Sequence, residues 1–401
     1  MNPSSQHIVR AHFSEPAPLF SFTDLESRRT YAQQIESYIQ TLFDDFRPRT
    51  EHIAAILLVN IRNLAPNGNL APIKWGFDNH GTLKGALNCI DAFTKHYMLH
   101  LNPNNPNDSA WAHAVPETLD LRPDHSGDID DDYLDALSQA LDYDSFFRTD
   151  PDLQDYPEDI DEEVKCRKRD GDVCVVTGKA NPKIFWFFPS TLNNTVRNNN
   201  MTGNLAGFGG MITGAPLTTI RIPNNPFCNQ RKLGGSHKAW NMLCVDPALY
   251  KPLTSGLCAF KHYEDVKLEN GHVEVALQFY WMPRLKGRFG QPFDMETDWQ
   301  SLMDELQASQ DKSYPPPSSF EKQPITTSGE PLRSGHVIHV TVPEQDVRHL
   351  KSAVKVHWAC SMFTSLCGAS GRPYLLSGKE FDNKAFQWVQ DQARQEEEGD
   401  G

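Results

Sequence analysis

The spacing of apolar residues changes partway along this chain, and no other feature constrains its fold as much. Between Asp24 and Phe46, residues Leu25, Ile35, Tyr38, Ile39, Leu42, Phe43 and Phe46 recur at helical intervals and form one stripe. Thr23 or Asp24 is placed to cap the start of that helix, and Pro48 stands just past its end. Residues 52–64 and 83–101 predict two more helices, 102–108 an Asn/Pro-rich loop, and 130–147 a short acidic helix. Farther along, the period falls to two. Val273, Val275, Leu277, Phe279 and Trp281 alternate within residues 272–281, the pattern of a half-buried strand. Helices first and strands later predict an α+β fold.

Shorter signals fill in the rest. Residues 173–177, 184–188 and 335–343 read as strands, and 344–367 as an amphipathic helix with Val347, Leu350, Val354 and Trp358 inward. The stretch 191–226 contains Asn198, Asn199 and Asn200, then Gly207, Gly209, Gly210 and Gly214. No Walker Lys-Ser/Thr pair follows to complete a phosphate cradle, so a flexible loop or lid is expected. Residues 237–243 predict the start of a short helix. The domain plan that results has a disordered 1–20, a helical region at 21–149 and an acidic linker at 150–165. A central domain at 166–310 follows, then a Pro-rich linker at 311–332. A strand and helix at 333–391 are expected to pack back on the central domain, and 392–401 is a disordered tail.

With 401 residues and 39% hydrophobic content the chain can bury at least one sizeable core, and its length suggests two or three domains. A mean hydropathy of -0.54 points to exposed polar segments as well. No run approaches the roughly 20 apolar residues of a membrane helix, and the opening Met1, Asn2, Pro3, Ser4 lacks the basic head and apolar run of a signal peptide. These features predict a soluble, intracellular protein, cytoplasmic or nuclear, with no membrane partner. Cys89, Cys166, Cys174, Cys228, Cys244, Cys258, Cys360 and Cys367 include no CxxC pair, so buried thiols are expected rather than zinc ligands.

The net charge of -14 disfavours phosphate backbones. Fifteen acidic residues lie between Asp128 and Glu163, opposed only by Arg148. Asp124, Ser126, Asp128 and Asp135 have calcium-loop spacing, but Ile129 stands where the turn needs Gly, so a solvated acidic face is expected. The basic cluster Lys165, Arg167, Lys168 and Arg169 abuts this acid, which can match it within the chain as readily as nucleic acid could.

An ordered series of motifs then narrows the reading. Residues 166–178 read CRKRDGDVCVVTG, from Cys166 through Cys174 to Gly178; Asn181 and Pro182 follow, then Phe187, Phe188 and Pro189. Trp240, Asn241, Met242 and Leu243 precede Asp246, Pro247, Ala248 and Leu249. The segments 256–261 (GLCAFK) and 278–283 (QFYWMP), Ser334 to His336, and Trp358 to Cys360 complete the series. Taken together these resemble fungal proteins carrying an HNH-endonuclease domain, over about residues 160–370.

The resemblance implies a ββα-metal domain with additional strands and a C-terminal helix. Such a nuclease holds a divalent ion with imidazole and carboxylate ligands while a histidine activates water. An asparagine positions the loop that carries this histidine. In the family the base precedes Ile/Val-Phe-Pro, and the ligands follow the asparagine as His-x-x-x-Asp. Here the base position holds Trp186 and the ligand positions hold Tyr250 and Thr254, so only Asn241 is retained. Indole can only donate a hydrogen bond, tyrosine is neutral at pH 7, and threonine offers a weak neutral oxygen. A degenerate HNH-like domain without metal, cofactor or nuclease activity is the expectation.

Phe185, Trp186, Phe187, Phe188 and Tyr250 would leave the former groove large and aromatic. Either they fill a core, or Phe185, Phe187 and Phe188 wall a dry pocket for an apolar small molecule. Trp186, Asn241, Tyr250 and Thr254 would then orient and act on that ligand. Such a pocket can work as a cofactor-independent cyclase or isomerase by holding a reactive conformer. By analogy, fungal secondary metabolism recruits scaffolds in this way. A nucleic-acid or protein binder is a second reading. An HNH-type endonuclease rebuilt around His237 or His262, with Asp246 as carboxylate, is a third. They differ in what the structure should contain: an aromatic cavity at Trp186, a basic face clear of the acidic stretch, or a histidine converging with a carboxylate.

Overall fold

The computed structural model describes residues 11–41, 43–72, 80–107, 111, 147–217, 225–311 and 324–377. The expected acidic helix, apart from Phe147, the calcium-loop positions and the C-terminal tail lie outside these residues.

Helix α1 (Phe22–Gln40) begins at Ser21, whose hydroxyl accepts the Asp24 N–H at 3.2 Å, just ahead of the caps expected at Thr23 or Asp24. It is tied to α2 (Thr50–Leu58) by buried Arg28, which donates to the Val59 carbonyl at 2.8 Å and so satisfies the open end of that helix. Helix α3 (His80–Leu101) packs on both, burying Ile90, Phe93 and Tyr97. Residues 150–165 are not a linker. Asp159 accepts the Glu162 N–H at 3.2 Å and starts α4 (Ile160–Arg169), with acids in the first turn and bases in the last, as the helix dipole favours.

The main sheet is antiparallel, in the order β1 (Ala11–Phe13), β6 (His336–Pro343), β5 (His272–Trp281), β4 (Cys258–Lys267). Residues 11–20, expected to be disordered, instead supply the edge strand and the buried Phe20. Strand β5 is half-buried only at its start; beyond Ala276 both faces are covered. Gln278 is tolerated there because it donates to the Ser14 carbonyl at 2.9 Å and accepts from the Tyr280 hydroxyl at 2.7 Å. Helix α8 (Val347–Leu366) lies on β4 and reaches α2 and α3, so the buried side chains of the helical and stranded halves form one contiguous cluster. Helix α7 (Asp298–Asp311) has no counterpart in the sequence reading. The end of the expected Pro-rich linker is built into the fold, since Leu332 is fully buried and its carbonyl accepts from the Trp281 indole at 3.1 Å.

A second, two-stranded sheet pairs β2 (Lys183–Trp186) antiparallel with β3 (Met242–Val245), Trp186 opposite Met242. Helix α6 (Pro247–Thr254) follows at once, with Asp246 accepting the Ala248 N–H at 2.9 Å and Pro247 in the first turn. This is a strand–strand–helix unit, but two expected elements are absent from it. Residues 173–177 make only an isolated bridge from Val173 to Ala180. The chain curls there because Gly171, Asp172 and Gly178 have positive φ and the Cys174 thiol accepts the Val176 and Thr177 N–H groups at 3.4 and 3.3 Å. Residues 237–243 form a 3-10 turn (Ala239–Asn241) running into β3, not a helix.

The largest departure is the expected loop at 191–226, which contains α5 (Val196–Thr213), capped by Thr195 and closed by Gly214 at φ 61°. Two of its glycines, Gly203 and Gly209, are contact residues. A Cβ on Gly209 would lie 2.6 Å from the Phe93 ring of α3, so the ring packs where a side chain would stand.

Candidate functional site

Trp186 at the end of β2 and Tyr250 early in α6, both half-buried, line one groove of about 450 Å³, within the size range of small-molecule sites. The groove is not the dry, apolar pocket expected from the sequence. Glu158, Glu163, Arg167 and Lys183 bring charge to its walls, and His100 reaches it from the end of α3. The Lys183 ammonium stands 5.1 Å from the centre of the Tyr250 ring. Burial, with the Glu158 carboxylate, raises Tyr250, so its phenol is protonated and a donor at neutral pH. Burial and the neighbouring Glu158 also raise Glu163.

The other residues singled out from the sequence are placed elsewhere. Asn241 is fully buried and clamps the chain after β2: its Oδ1 accepts the Phe188 N–H at 2.9 Å, and its Nδ2 donates to the carbonyls of Phe188 at 2.7 Å and Ser236 at 3.1 Å. Its contacts are with backbone, not with the groove. Thr254 is buried, and its hydroxyl donates to the Tyr250 and Lys251 carbonyls at 2.9 and 3.2 Å, closing its own helix. Phe185, Phe187 and Phe188, expected to wall the pocket, are core residues at 0–1% exposure. Phe185 meets His357 edge-on at 5.1 Å, Phe187 meets Phe260 at 6.1 Å, and Phe188 meets Phe227 at 4.9 Å. Strand alternation separates Phe185 from Trp186, which point to opposite faces of β2, whereas Phe187 and Phe188 lie beyond the strand and are buried in the core.

The residues offered for a rebuilt nuclease, His237, His262 and Asp246, each have other partners, and Asp246 is paired with neither histidine. His237 is buried, its Nε2 2.9 Å from the Ser190 carbonyl, its ring between Trp186 and Tyr156, and its pKa lowered by burial. His262 pairs with Asp265 at 2.7 Å, and Asp265 also binds Lys351 at 2.6 Å, on the outer part of β4. Asp246 caps α6 and pairs with Lys179 at 2.7 Å. The basic cluster is largely matched internally: Lys165 to Glu162 at 2.8 Å, Arg167 to Asp172 at 3.0 Å and Arg169 to Asp170 at 2.6 Å.

One group of potential metal ligands occurs among the described residues: Cys166, Asp170 and Cys244, buried, with ligand atoms within 4.8 Å of one another. These residues do not fit a cation. The Arg169 guanidinium already sits on them, donating to both Asp170 oxygens at 2.6 and 2.9 Å and to the Cys166 sulfur at 3.4 Å. The neighbouring Cys244 thiol, followed by burial, pushes the Cys166 thiol up. Asp170 also accepts the Cys244 N–H at 2.9 Å, and the cluster fastens α4 to β3.

Sequence reasoning missed His100, Glu158, Glu163 and Lys183 as groove residues. The one available signal was His96 and His100 at i and i+4 on α3, which places both on one helix face. Comparisons with protein-family models, with curated proteins and with solved structures find no match for this chain.

Proposed function

We propose that this chain is a metal-independent small-molecule protein on a degenerate HNH-type scaffold, acting as a cofactor-independent cyclase or isomerase in a biosynthetic pathway of the fungal secondary-metabolic kind. One observation supports this reading above the others. Trp186 and Tyr250 occupy the positions that the resemblance assigns to base and ligand, and they line a single groove of small-molecule size. An indole face and a protonated phenol offer an apolar platform and a hydrogen-bond donor, which suits orienting a guest rather than holding a phosphate. The charged walls make the preferred guest amphipathic, a mainly apolar body with a few oxygen atoms, and so adjust the apolar ligand expected from sequence. Rate acceleration would come from fixing a reactive conformer.

Saturation-transfer NMR with a library of neutral cyclic hydrocarbons, ketones and alcohols, in the presence of EDTA, tests this. The parent should give hits that Trp186→Ala and Tyr250→Phe weaken at least tenfold, while Phe187→Val, a core change, leaves them intact. Hits insensitive to both groove substitutions, or none at all, would overturn the reading.

A further inference from the structure

Helix α3 ends in the groove, and its last histidine is held there in one orientation. Nδ1 of His100 lies 3.1 Å from the Thr191 hydroxyl, and that hydroxyl lies 3.4 Å from the His100 carbonyl, so the threonine meets both ring and backbone of the same residue. Nε2 has no hydrogen-bond partner among the described residues, although the ring lines the groove with Trp186 and Tyr250. A fixed imidazole with one nitrogen satisfied by protein, in a residue that lines a cavity, is arranged as a binding group rather than as a packed core histidine.

We propose that His100 is a ligand-binding residue of this groove, taking an uncharged oxygen, a ketone or a hydroxyl, of the bound molecule at Nε2. The inference rests on the small-molecule reading above and makes the N-terminal helical region part of the site. His96 meets the ring edge-on at 4.7 Å on the same helix, and Glu158, together with Glu163 and Arg167 of α4, Lys183 of β2 and Tyr250 of α6, lines the same groove. Burial pulls His100 down to about 4, so the imidazole is neutral throughout the physiological range. A neutral ring carries no charge to attract an anion; when Nδ1 donates to Thr191, Nε2 accepts from a hydroxyl, and when Nδ1 accepts from Thr191, Nε2 donates to a carbonyl.

Two measurements on the full chain test this. Diethyl pyrocarbonate acylates only neutral imidazole, and labelling at each histidine can be followed by peptide mass spectrometry. Between pH 7.5 and 5.5 free N-acetylhistidine in the same tube should slow about tenfold, from its ordinary value near 6.5. Acylation of His100 should change less than twofold. In the second arm, cyclic ketones and alcohols are titrated into parent, His100→Phe and His100→Gln. Loss of at least tenfold in affinity in the Phe variant, with substantial recovery in Gln, supports the inference, and urea unfolding of each variant checks that it is folded. Unlabelled His100, or ketone binding unchanged in His100→Phe but lost in Trp186→Ala, overturns the inference alone. If no probe binds the parent, the groove reading fails and takes the inference with it.

Discussion

Replacing Asn241 with alanine should destabilise the protein by about 3–5 kcal/mol without any ligand being involved. The magnitude follows from the clamp. Asn241 is fully buried, and its truncation strands the Phe188 N–H, bonded at 2.9 Å, and the Phe188 and Ser236 carbonyls, bonded at 2.7 and 3.1 Å. Each stranded group costs about 1–3 kcal/mol when water cannot reach it, the carbonyls less because an unpaired acceptor is better tolerated than an orphaned N–H. Asn241→Asp preserves the shape and the acceptor for Phe188 N–H but aims a carboxylate at two carbonyls. Its cost should therefore grow with pH and ease as acid restores one donor. Equilibrium urea unfolding at pH 7, followed by tryptophan fluorescence, reads both effects. A change below about 1 kcal/mol for Asn241→Ala would refute the clamp, and unaltered stability combined with lost ligand binding would make Asn241 a groove residue instead.

Stability should also fall steeply on acidification. Burial depresses His96, His100, His336 and His357, the second and third to about 4 and the last to about 3. Their values in the unfolded chain are near 6.5, so between about pH 6.5 and 4 the unfolded state binds more protons and gains on the native state. Four such groups give a slope of about 5 kcal/mol per pH unit in the middle of that window, and urea midpoints measured at pH 7, 6 and 5 should show it; a flat profile would contradict the buried neutral histidines. Within α5, Gly207 has open space around it whereas Gly203 is pressed against the Phe147 ring. Gly207→Ala should stabilise by about 0.5–1 kcal/mol through helix propensity, and Gly203→Ala should destabilise by about 1–3 kcal/mol through overpacking; equal effects would mean the helix is not packed as described. Trp186→Ala, at a half-buried position, should cost only about 1–2 kcal/mol, against about 3–5 kcal/mol for Phe187→Ala in the core.

Elements with a clean period were legible in the sequence. Because one buried face writes its period directly into the residue order, the alternation of β5 and the helix α8 appear within a few residues of their expected places. Helix α1 carries the first part of its expected stripe but ends at Gln40, ahead of Phe43 and Phe46. Helix α5 was not legible. Three asparagines and several glycines oppose a helix by propensity, and what overrides them is contact with Phe93 and Phe147, both remote in sequence. The same limit applied to the groove. Trp186 and Tyr250 stood out through the motif series, but His100, Glu158 and Glu163 join them only because the fold brings the end of α3 and the start of α4 to the groove. Within the run of phenylalanines, composition suggested one aromatic wall. Alternation along β2 and burial by His357, Phe260 and Phe227 divide it between core and groove.

Whether the groove at Trp186 and Tyr250 works without an ion is decided by calorimetric titration of the parent protein with manganese and magnesium. No saturable uptake of one ion per chain is predicted at pH 7, with or without bound ketone. Stoichiometric binding that disappears in Glu163→Gln or His100→Phe would place a rebuilt metal site in the groove and contradict the account.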